Sequence, residues 1–287
     1  MSGDFAMALI GPPGLYLRND VAYFQGSIKS VTLGDRVYTS ASQDVWVNLV
    51  KFIYLAERGV LGGRFGAVAT VPVVIDATAR GTAVSPVQVQ ASGSRSGVSD
   101  VIFTGFLNWS FGTSHVSTGV GVWTPTGSYS AERIVNLGRN YWTVMPTLSY
   151  TWLQPERGHE VSFNTGFAFN SPNHATNYRS GNEWAMELLA GQHFSKEFAV
   201  GLSGSVLVGI TDDSGALLDR ANAALRILGL DGLGGFRERY LGLGPAVLWS
   251  PTVFGRNLNL VGKYLVDVVH ENRFTSSYLV LSAAFRF

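Results

Sequence analysis

The chain has 287 residues, a formal net charge of +1 and no cysteine, which excludes disulfides, cysteine-ligated metals and thiol nucleophiles. Only 14% of the residues are charged, against about 25% in soluble domains, and the near-neutral charge argues against a nucleic-acid-binding protein. The sequence has no apolar run of about 18 residues and no signal peptide, so we expect no transmembrane helix and infer that an export signal has been left off. Two architectures fit, a large soluble all-β domain and a transmembrane β-barrel.

Residues 1–13 precede the first predicted strand and are rich in apolar side chains. The candidate residues of this segment are Phe5, Met7, Leu9, Ile10, Pro12 and Pro13. In water they would form an exposed apolar patch, so we expect the segment to pack against the protein, and the interior of a barrel is the nearest dry surface. A disordered tail is the alternative interpretation.

Twelve segments follow in which apolar and polar residues alternate, and each predicts a β-strand with two unlike faces. The alternation is clearest where Trp142, Val144 and Leu148 share one face, and Thr143 and Thr151 share the other. The predicted strands are 14–24, 44–57, 62–78, 99–112, 114–126, 139–153, 158–170, 182–194, 197–211, 237–251, 255–271 and 275–287. A short helix is predicted at 216–230, within the longest loop.

The connections between these segments alternate in length along the chain. Short turns follow the even-numbered predicted strands, and long loops follow the odd-numbered ones except near Asn272. This alternation is typical of outer-membrane barrels, which have short periplasmic turns and long outer loops. We therefore predict an all-β fold, a transmembrane antiparallel up-and-down β-barrel of 12 strands. It would use residues 14–287 as one domain, with the segment 1–13 inside its lumen.

The two faces of the strands predict which side meets lipid. The polar face is built mainly of Gly, Ser, Thr, Ala and Asn, which are too small to fill a barrel of this size, so it is predicted to line the lumen. Trp142, Trp152 and Trp249 lie on the apolar face near strand ends, as in an aromatic girdle. The charged candidates on the lumen face are Arg18, Glu183, Glu187, Lys263, Asp267 and Arg286. They either form ion pairs that shape the lumen or form an ion-selectivity constriction.

Three residues flank the outer loop between the fifth and sixth predicted strands: Pro125, Gly127 and Asn136. Proline cannot donate a hydrogen bond to the sheet and glycine weakens it. The functional interpretation is a seam at which the wall opens sideways for an apolar molecule. The other interpretation is an ordinary strand end or bulge.

Catalysis is not expected. His115 and Ser117 are two residues apart and share a strand face, as do the catalytic residues of outer-membrane phospholipases, but they would face the lumen and no third member of a triad is evident. No two of the five histidines have the spacing of metal ligands on one strand. We therefore predict no enzyme activity, no metal and no cofactor.

Several short motifs give the chain a resemblance to a known family. They are Phe5-Ala6-Met7-Ala8, Pro12-Pro13-Gly14-Leu15-Tyr16, Leu61-Gly62-Gly63, Pro125-Thr126-Gly127-Ser128-Tyr129, Asn136-Leu137-Gly138-Arg139-Asn140-Tyr141, Asn173-His174-Ala175-Thr176-Asn177-Tyr178, Asp212-Asp213-Ser214-Gly215 and Leu243-Gly244-Pro245. In this order they resemble the MetA-pathway-of-phenol-degradation (SphA-like) family of outer-membrane channels. Asn177 departs from the pattern, in which an Asp is expected, and the terminal Phe287 is similar to the C-terminal aromatic residue of outer-membrane proteins.

The resemblance implies a twelve-stranded barrel whose N-terminal segment enters the lumen, and a role in uptake of hydrophobic, often aromatic, compounds. An apolar solute gains nothing from a water-filled pore, so its route needs apolar surface and an exit into lipid. We expect a monomer in the bacterial outer membrane that binds small hydrophobic molecules and lipid, and no nucleic acid. A small hydrophilic porin is the main alternative, followed by an adhesive or structural barrel and a soluble β-domain.

Overall fold

Twelve long antiparallel strands form one closed barrel in the computed structural model, which describes residues 4–29, 31–33, 36–84, 88–227, 229 and 234–287. The strands are β1 (Gly14–Ile28), β2 (Val31–Leu33), β3 (Arg36–Val60), β4 (Gly63–Val84), β5 (Gln88–Val98), β6 (Ile102–Phe111), β7 (Ser114–Trp123), β8 (Thr143–Gln154), β9 (His159–Asn170), β10 (Tyr178–Arg179), β11 (Glu183–His193), β12 (Phe198–Gly209), β13 (Ser214–Gly215), β14 (Arg239–Trp249), β15 (Thr252–Val253), β16 (Arg256–Asn257), β17 (Asn259–Glu271) and β18 (Thr275–Arg286). The helix α1 (Ala216–Ile227) lies between β13 and β14.

The barrel closes where the first strand meets the last. β1 pairs with β18, with Tyr16 opposite Arg286, and on its other edge pairs with β3, with Arg18 opposite Lys51. Going round from β3, the wall continues through β4, β6, β7, β8, β9, β11, β12, β14 and β17. Closure leaves these backbone groups paired within the wall, as a bilayer requires. The predicted twelve-stranded antiparallel barrel is confirmed.

Connections at one end of the barrel are short, and those at the other end are long. Turns such as 112–113 and 194–197 define the short-turn end, whereas 124–142 and 210–238 define the long-loop end. The predicted helix lies in the last of these loops, but ends at Ile227. It is the longest described helix, and its 12 residues are too few to cross a bilayer.

The second and third barrel strands are longer than predicted, and one long strand and the short strands β2, β10 and β13 were missed. β3 and β4 extend well beyond 44–57 and 62–78, and β5 covers residues that the sequence assigned to a loop. β5 pairs with the outer half of β4, with Arg95 opposite Ala77, whereas β6 pairs with the inner half. One face of β5 is exposed and the other carries the small, half-buried residues Ala91, Gly93 and Gly97, so this strand carries no apolar alternation for a sequence pattern to detect.

The two faces of the wall differ as predicted. Large apolar side chains face outward and are exposed; examples are Phe52, Phe103, Trp142, Leu148, Phe167, Leu202, Trp249 and Leu281. The inward positions between them are small or polar and buried, as at Thr151, Ser162, Ser203 and Ser282. Such an apolar outer band is what a transmembrane barrel presents to lipid.

Buried apolar clusters lie inside the barrel at both ends. At the short-turn end, Phe5 packs with Leu189 and Ala199. At the long-loop end, Val135 and Leu137 pack against the inner face of β4. These two clusters mark the regions where other parts of the chain enter the lumen.

Candidate functional site

The N-terminal segment, residues 4–13, runs around the inner wall near the short-turn end. Its successive residues contact successive strands: Asp4 contacts β1 and β17, Phe5 contacts β11 and β12, Ala6 contacts β9, Ala8 contacts β8 and β6, Gly11 contacts β4, and Pro13 contacts β18. A stretch of this length can touch so many strands only from inside the barrel. It makes almost a full circuit of the lumen before β1 begins.

Hydrogen bonds between strand side chains and the segment's backbone hold this circuit in place. Ala6 N donates to Glu160 Oε1 at 2.5 Å, and Ala8 N donates to Thr151 Oγ1 at 2.9 Å. Asn108 Nδ2 donates to Ala8 O at 2.6 Å. Further along the segment, Arg64 donates to Gly11 O and Arg286 donates to Pro13 O, at 2.8 and 2.7 Å. The wall therefore supplies polar partners that a segment in non-regular conformation needs when it is buried.

Asp4 adds a carboxylate to a buried network of charges on the wall. It forms ion pairs with Arg18, and with Lys263 across 3.7 Å between Oδ1 and Nζ. Burial would raise the pKa of Asp4, but the charges of Arg18 and Lys263 outweigh it and hold the pKa below its ordinary value. The carboxyl group is therefore ionised near neutral pH.

The wall residues of this network are themselves paired. Asp20 binds Arg18 at 2.6 Å and Lys51 at 2.5 Å, and Glu187 lies 3.7 Å from Lys263. With Asp4 bound, three cations face three carboxylates. Without it, the wall side of the network has one positive charge in excess.

Phe5 fills a hollow that two glycines leave in the wall. A Cβ atom at Gly191 would lie 2.9 Å from the ring of Phe5, and one at Gly201 would lie 3.3 Å from it. The ring also meets His193 edge-on, with centroids 5.7 Å apart, and His193 is bonded to Glu160 at 2.6 Å. The other predicted residues of the segment, which are Met7, Leu9, Ile10, Pro12 and Pro13, are less buried than Phe5. Met7 packs against the same cluster, and Leu9 is 40% exposed.

The predicted lumen charges do not form one group. Glu187, Lys263 and Arg18 lie in the network at the short-turn end, and Arg286 binds the last residue of the segment there. Glu183 and Asp267 lie nearer the long-loop end, where Asp267 Oδ2 accepts a hydrogen bond from Ser276 N at 2.5 Å. Sequence patterns missed Asp4, Asp20, Lys51, Glu160 and His193, whose partners lie on other strands and become evident only from the fold.

The loop 124–142 folds into the long-loop end of the barrel. Asp100, just before β6, accepts hydrogen bonds from Gly127 N and Arg139 N, both at 2.8 Å, and so ties together the two ends of the loop. Gly127 also lies directly against Gly138, since a Cβ at Gly127 would be 2.7 Å from Gly138 Cα. The two predicted seam residues Pro125 and Gly127 are thus part of a closed loop base.

Asn136, the third seam candidate, shapes the tip of this loop. Its side chain accepts from Ser130 N at 2.8 Å and donates to Ser130 O at 3.0 Å and Arg133 O at 3.3 Å. The turn that results carries the neighbouring apolar side chains, Val135 and Leu137, to the inner face of β4. The loop also lies beside β5. In the described part of the chain, β5 pairs with β4 along one edge and with no strand along the other.

Carboxyl groups cluster at the long-loop mouth. The pKa of Glu238 is raised to about 7, mainly by burial. Arg273, 3.5 Å away, opposes this shift, and the charges of Glu183 and Asp213 add to it. Burial likewise raises the pKa of Asp213. The charge at this mouth therefore changes in the physiological pH range.

His115 and Ser117 do not form a catalytic pair. His115 Nδ1 lies 2.8 Å from Ser110 Oγ, and Ser117 Oγ accepts a hydrogen bond from Asn108 at 2.7 Å. Among the residues that the structure describes, no three His, Asp or Glu side chains are grouped as metal ligands would be.

Comparison with known proteins identifies the family. The model of the MetA-pathway of phenol degradation family matches residues 29–283. The chain belongs to this family. A crystal structure of the COG4313 outer membrane channel from Pseudomonas putida F1 has the same fold, with a TM-score of 0.73, 15% identity and 99% coverage of both chains. A Pseudomonas aeruginosa FadL homologue is similar at a TM-score of 0.42, with 8% identity over 98% of this chain and 92% of that one. No curated protein sequence is significantly similar to the chain.

The family member described here is an outer-membrane β-barrel. Closed antiparallel barrels with short turns at one end, long loops at the other and an apolar outer band are the bacterial outer-membrane architecture. The predicted family, fold and location are all confirmed.

Proposed function

We propose that this protein is a passive outer-membrane channel for small hydrophobic molecules, and that residues 4–13 plug its lumen. The observation that carries the proposal is the path of the N-terminal segment, which runs around the inside of the lumen in contact with strands on all sides. The family description, which concerns degradation of phenol, supports an aromatic or otherwise apolar substrate. The role is transport and not catalysis.

Apolar surface inside the barrel supports a hydrophobic substrate. Val45, Val47 and Val74 line the lumen at the long-loop end, where a hydrophilic porin would present polar groups. An apolar solute that leaves water here gains free energy in proportion to the area it buries. The outward seam between β5 and the loop 124–142 is the proposed sideways exit to lipid, because there a loop and not a paired strand adjoins β5.

A hydrophilic porin is the second candidate, because the network around Asp20 and Lys263 is polar. The two candidates differ in what the plug must do. A porin conducts steadily with the segment in place, whereas a plugged hydrophobic channel conducts little until the segment leaves.

A reversible crosslink tests the plug directly. The chain has no cysteine, so the double variant Ala8→Cys/Thr151→Cys carries one possible disulfide. The two positions are in contact, with Ala8 N 2.9 Å from Thr151 Oγ1. Uptake of the fluorescent apolar probe N-phenyl-1-naphthylamine by cells that express it should fall on oxidation and recover with reductant. Single-channel conductance in planar bilayers should change in parallel.

Thr151→Cys alone is the matched control, since it cannot form the disulfide. A chain lacking residues 1–13 should conduct more than the full chain and should lose the response to oxidation. Large and steady conductance in every form, with swelling of liposomes in arabinose, would replace this proposal by the hydrophilic porin.

A further inference from the structure

A cavity of about 450 Å³ lies inside the barrel near the long-loop end. It is bounded by the inner faces of β3 and β4, by the loop 124–142 and by the connection 171–182. Its volume is within the range of sites that bind small organic molecules, about 300 to 1,000 Å³. The N-terminal segment does not line it, so the cavity is separate from the plug.

One side of the cavity is apolar. Val45 and Val47 of β3 and Val74 and Ala77 of β4 form its wall. The tip of the loop 124–142 closes over them with Val135 and Leu137, which are 9% exposed. An apolar body of one or two rings would bury its surface between this wall and the loop.

The opposite side is polar and carries one charge. Arg139 is the one charged side chain among the described residues that line the cavity. Its backbone is fixed on both sides, since Arg139 N donates to Asp100 at 2.8 Å and Arg139 O accepts from Asn173 at 3.2 Å. The guanidinium carbon lies 5.1 Å from the ring centroid of Tyr141, whose hydroxyl is 3.4 Å from Ser180 Oγ. Glu183, which interacts electrostatically with Arg139, does not line the cavity.

We propose that this cavity binds a small hydrophobic monocarboxylate, with its apolar body on the valine wall and its carboxylate on Arg139. A guanidinium matches a carboxylate with two parallel hydrogen bonds. A ligand with no acceptor would gain nothing from this cation. The inference rests on the proposed function, because it names the substrate class of that channel.

The approach to the cavity fits an anion. A larger open vestibule, about 1,260 Å³, continues from the cavity outward along β3 and β4. Ser42 and Arg80 line the vestibule, and the adjacent Gln43 and Ala79 line the cavity. The charged lining residues of the vestibule are Lys29, Arg80, Arg273 and Glu271. Arg273 is paired with Glu238 and Glu271 with Arg239, so Lys29 and Arg80 are the lining cations that would attract an anion towards the cavity.

Calorimetric binding of benzoate and of its neutral isostere benzamide, to the full-length barrel in detergent, tests this assignment. We expect benzoate to bind about tenfold more tightly than benzamide, the discrimination that a charge-assisted pair supplies. Arg139→Gln should abolish the difference, and Ala77→Phe should abolish binding of both by filling the cavity. Arg133→Gln is the matched control, because Arg133 is on the same loop but bonds Ser128 and does not line the cavity.

Equal affinity for benzoate and benzamide, or a preference that survives Arg139→Gln, would overturn the proposal. An equal loss of the preference for benzoate in Arg133→Gln would also overturn the proposal, because the effect would then come from the loop as a whole and not from Arg139. Val45→Phe, on the neighbouring strand, repeats the filling test if Ala77→Phe does not fold. Because binding is measured without transport, its failure leaves the oxidation test of the plug standing, and a failed plug test leaves the binding result standing.

Discussion

Asp4 and Lys263 face each other inside the barrel, with 3.7 Å between Oδ1 and Nζ, although they come from opposite ends of the chain. Lys263 is buried on the wall and Asp4 belongs to the segment that enters the lumen. The wall network is thus electrically balanced only while the segment is docked. The net charge of this wall network and the position of the segment are therefore coupled.

Asp4→Asn tests this coupling. Removing one partner of a buried ion pair costs about 3–5 kcal/mol, because Arg18 and Lys263 keep their charges. We expect the variant to occupy conducting states more often, and its reversal potential in a KCl gradient to shift towards chloride. Glu197→Gln, in an exposed turn at the same end, should leave both quantities unchanged. Unchanged conductance in Asp4→Asn would show that the ion pairs of Asp4 do not control whether the channel conducts.

Gly191→Ala should release the segment by a different mechanism, since its new methyl group would lie 2.9 Å from the ring of Phe5. Overpacking of this kind costs about 1–3 kcal/mol. A cysteine introduced at Leu9, in this cysteine-free chain, should then react faster with a soluble maleimide. Gly105→Ala is the control, because the nearest atom to its Cβ is 3.9 Å away. Equal labelling rates in both variants would show that Phe5 does not anchor the segment.

Asp100→Asn should loosen the loop 124–142. An amide has one acceptor oxygen where the carboxylate has two, so one of the hydrogen bonds from Gly127 N and Arg139 N is lost. Each charge-assisted bond contributes about 1.5–3 kcal/mol. Hydrogen exchange across the loop should accelerate while exchange in β8 stays slow. Uptake of N-phenyl-1-naphthylamine should rise if the seam is the exit. Faster exchange with unchanged uptake would contradict a sideways route through this loop.

The charge of the long-loop mouth should depend on pH through Glu238. Its raised pKa, about 7, means that the ionised form is disfavoured in the folded barrel. The loop is therefore stabilised as the pH falls from above 7 towards 4.5, the ordinary glutamate value. The permeability of the channel to cations relative to anions, measured by reversal potentials, should therefore be lower at pH 5.5 than at pH 8. Glu238→Gln should remove the dependence, whereas Glu271→Gln, an exposed neighbour, should preserve it.

Much of the wall could be predicted because a bilayer imposes a strict alternation on each strand that crosses it. The segment around Thr143 and Leu148 shows that alternation, and its faces are as expected. β5 could not be predicted, since its residues are mainly small or polar on both faces and show no apolar alternation. The charge network was only partly predicted, because Asp20 and Lys51 become partners through strand register and Asp4 through barrel closure.

The circuit of residues 4–13 has a consequence for the order of assembly. Its binding partners come from many strands, and Arg286, which holds Pro13, is near the end of the last one. The complete docking surface exists only after β18 has paired with β1. The segment that precedes every described strand in the sequence is thus the last to dock, and the proposed barrier across the lumen forms in the same event that closes the wall.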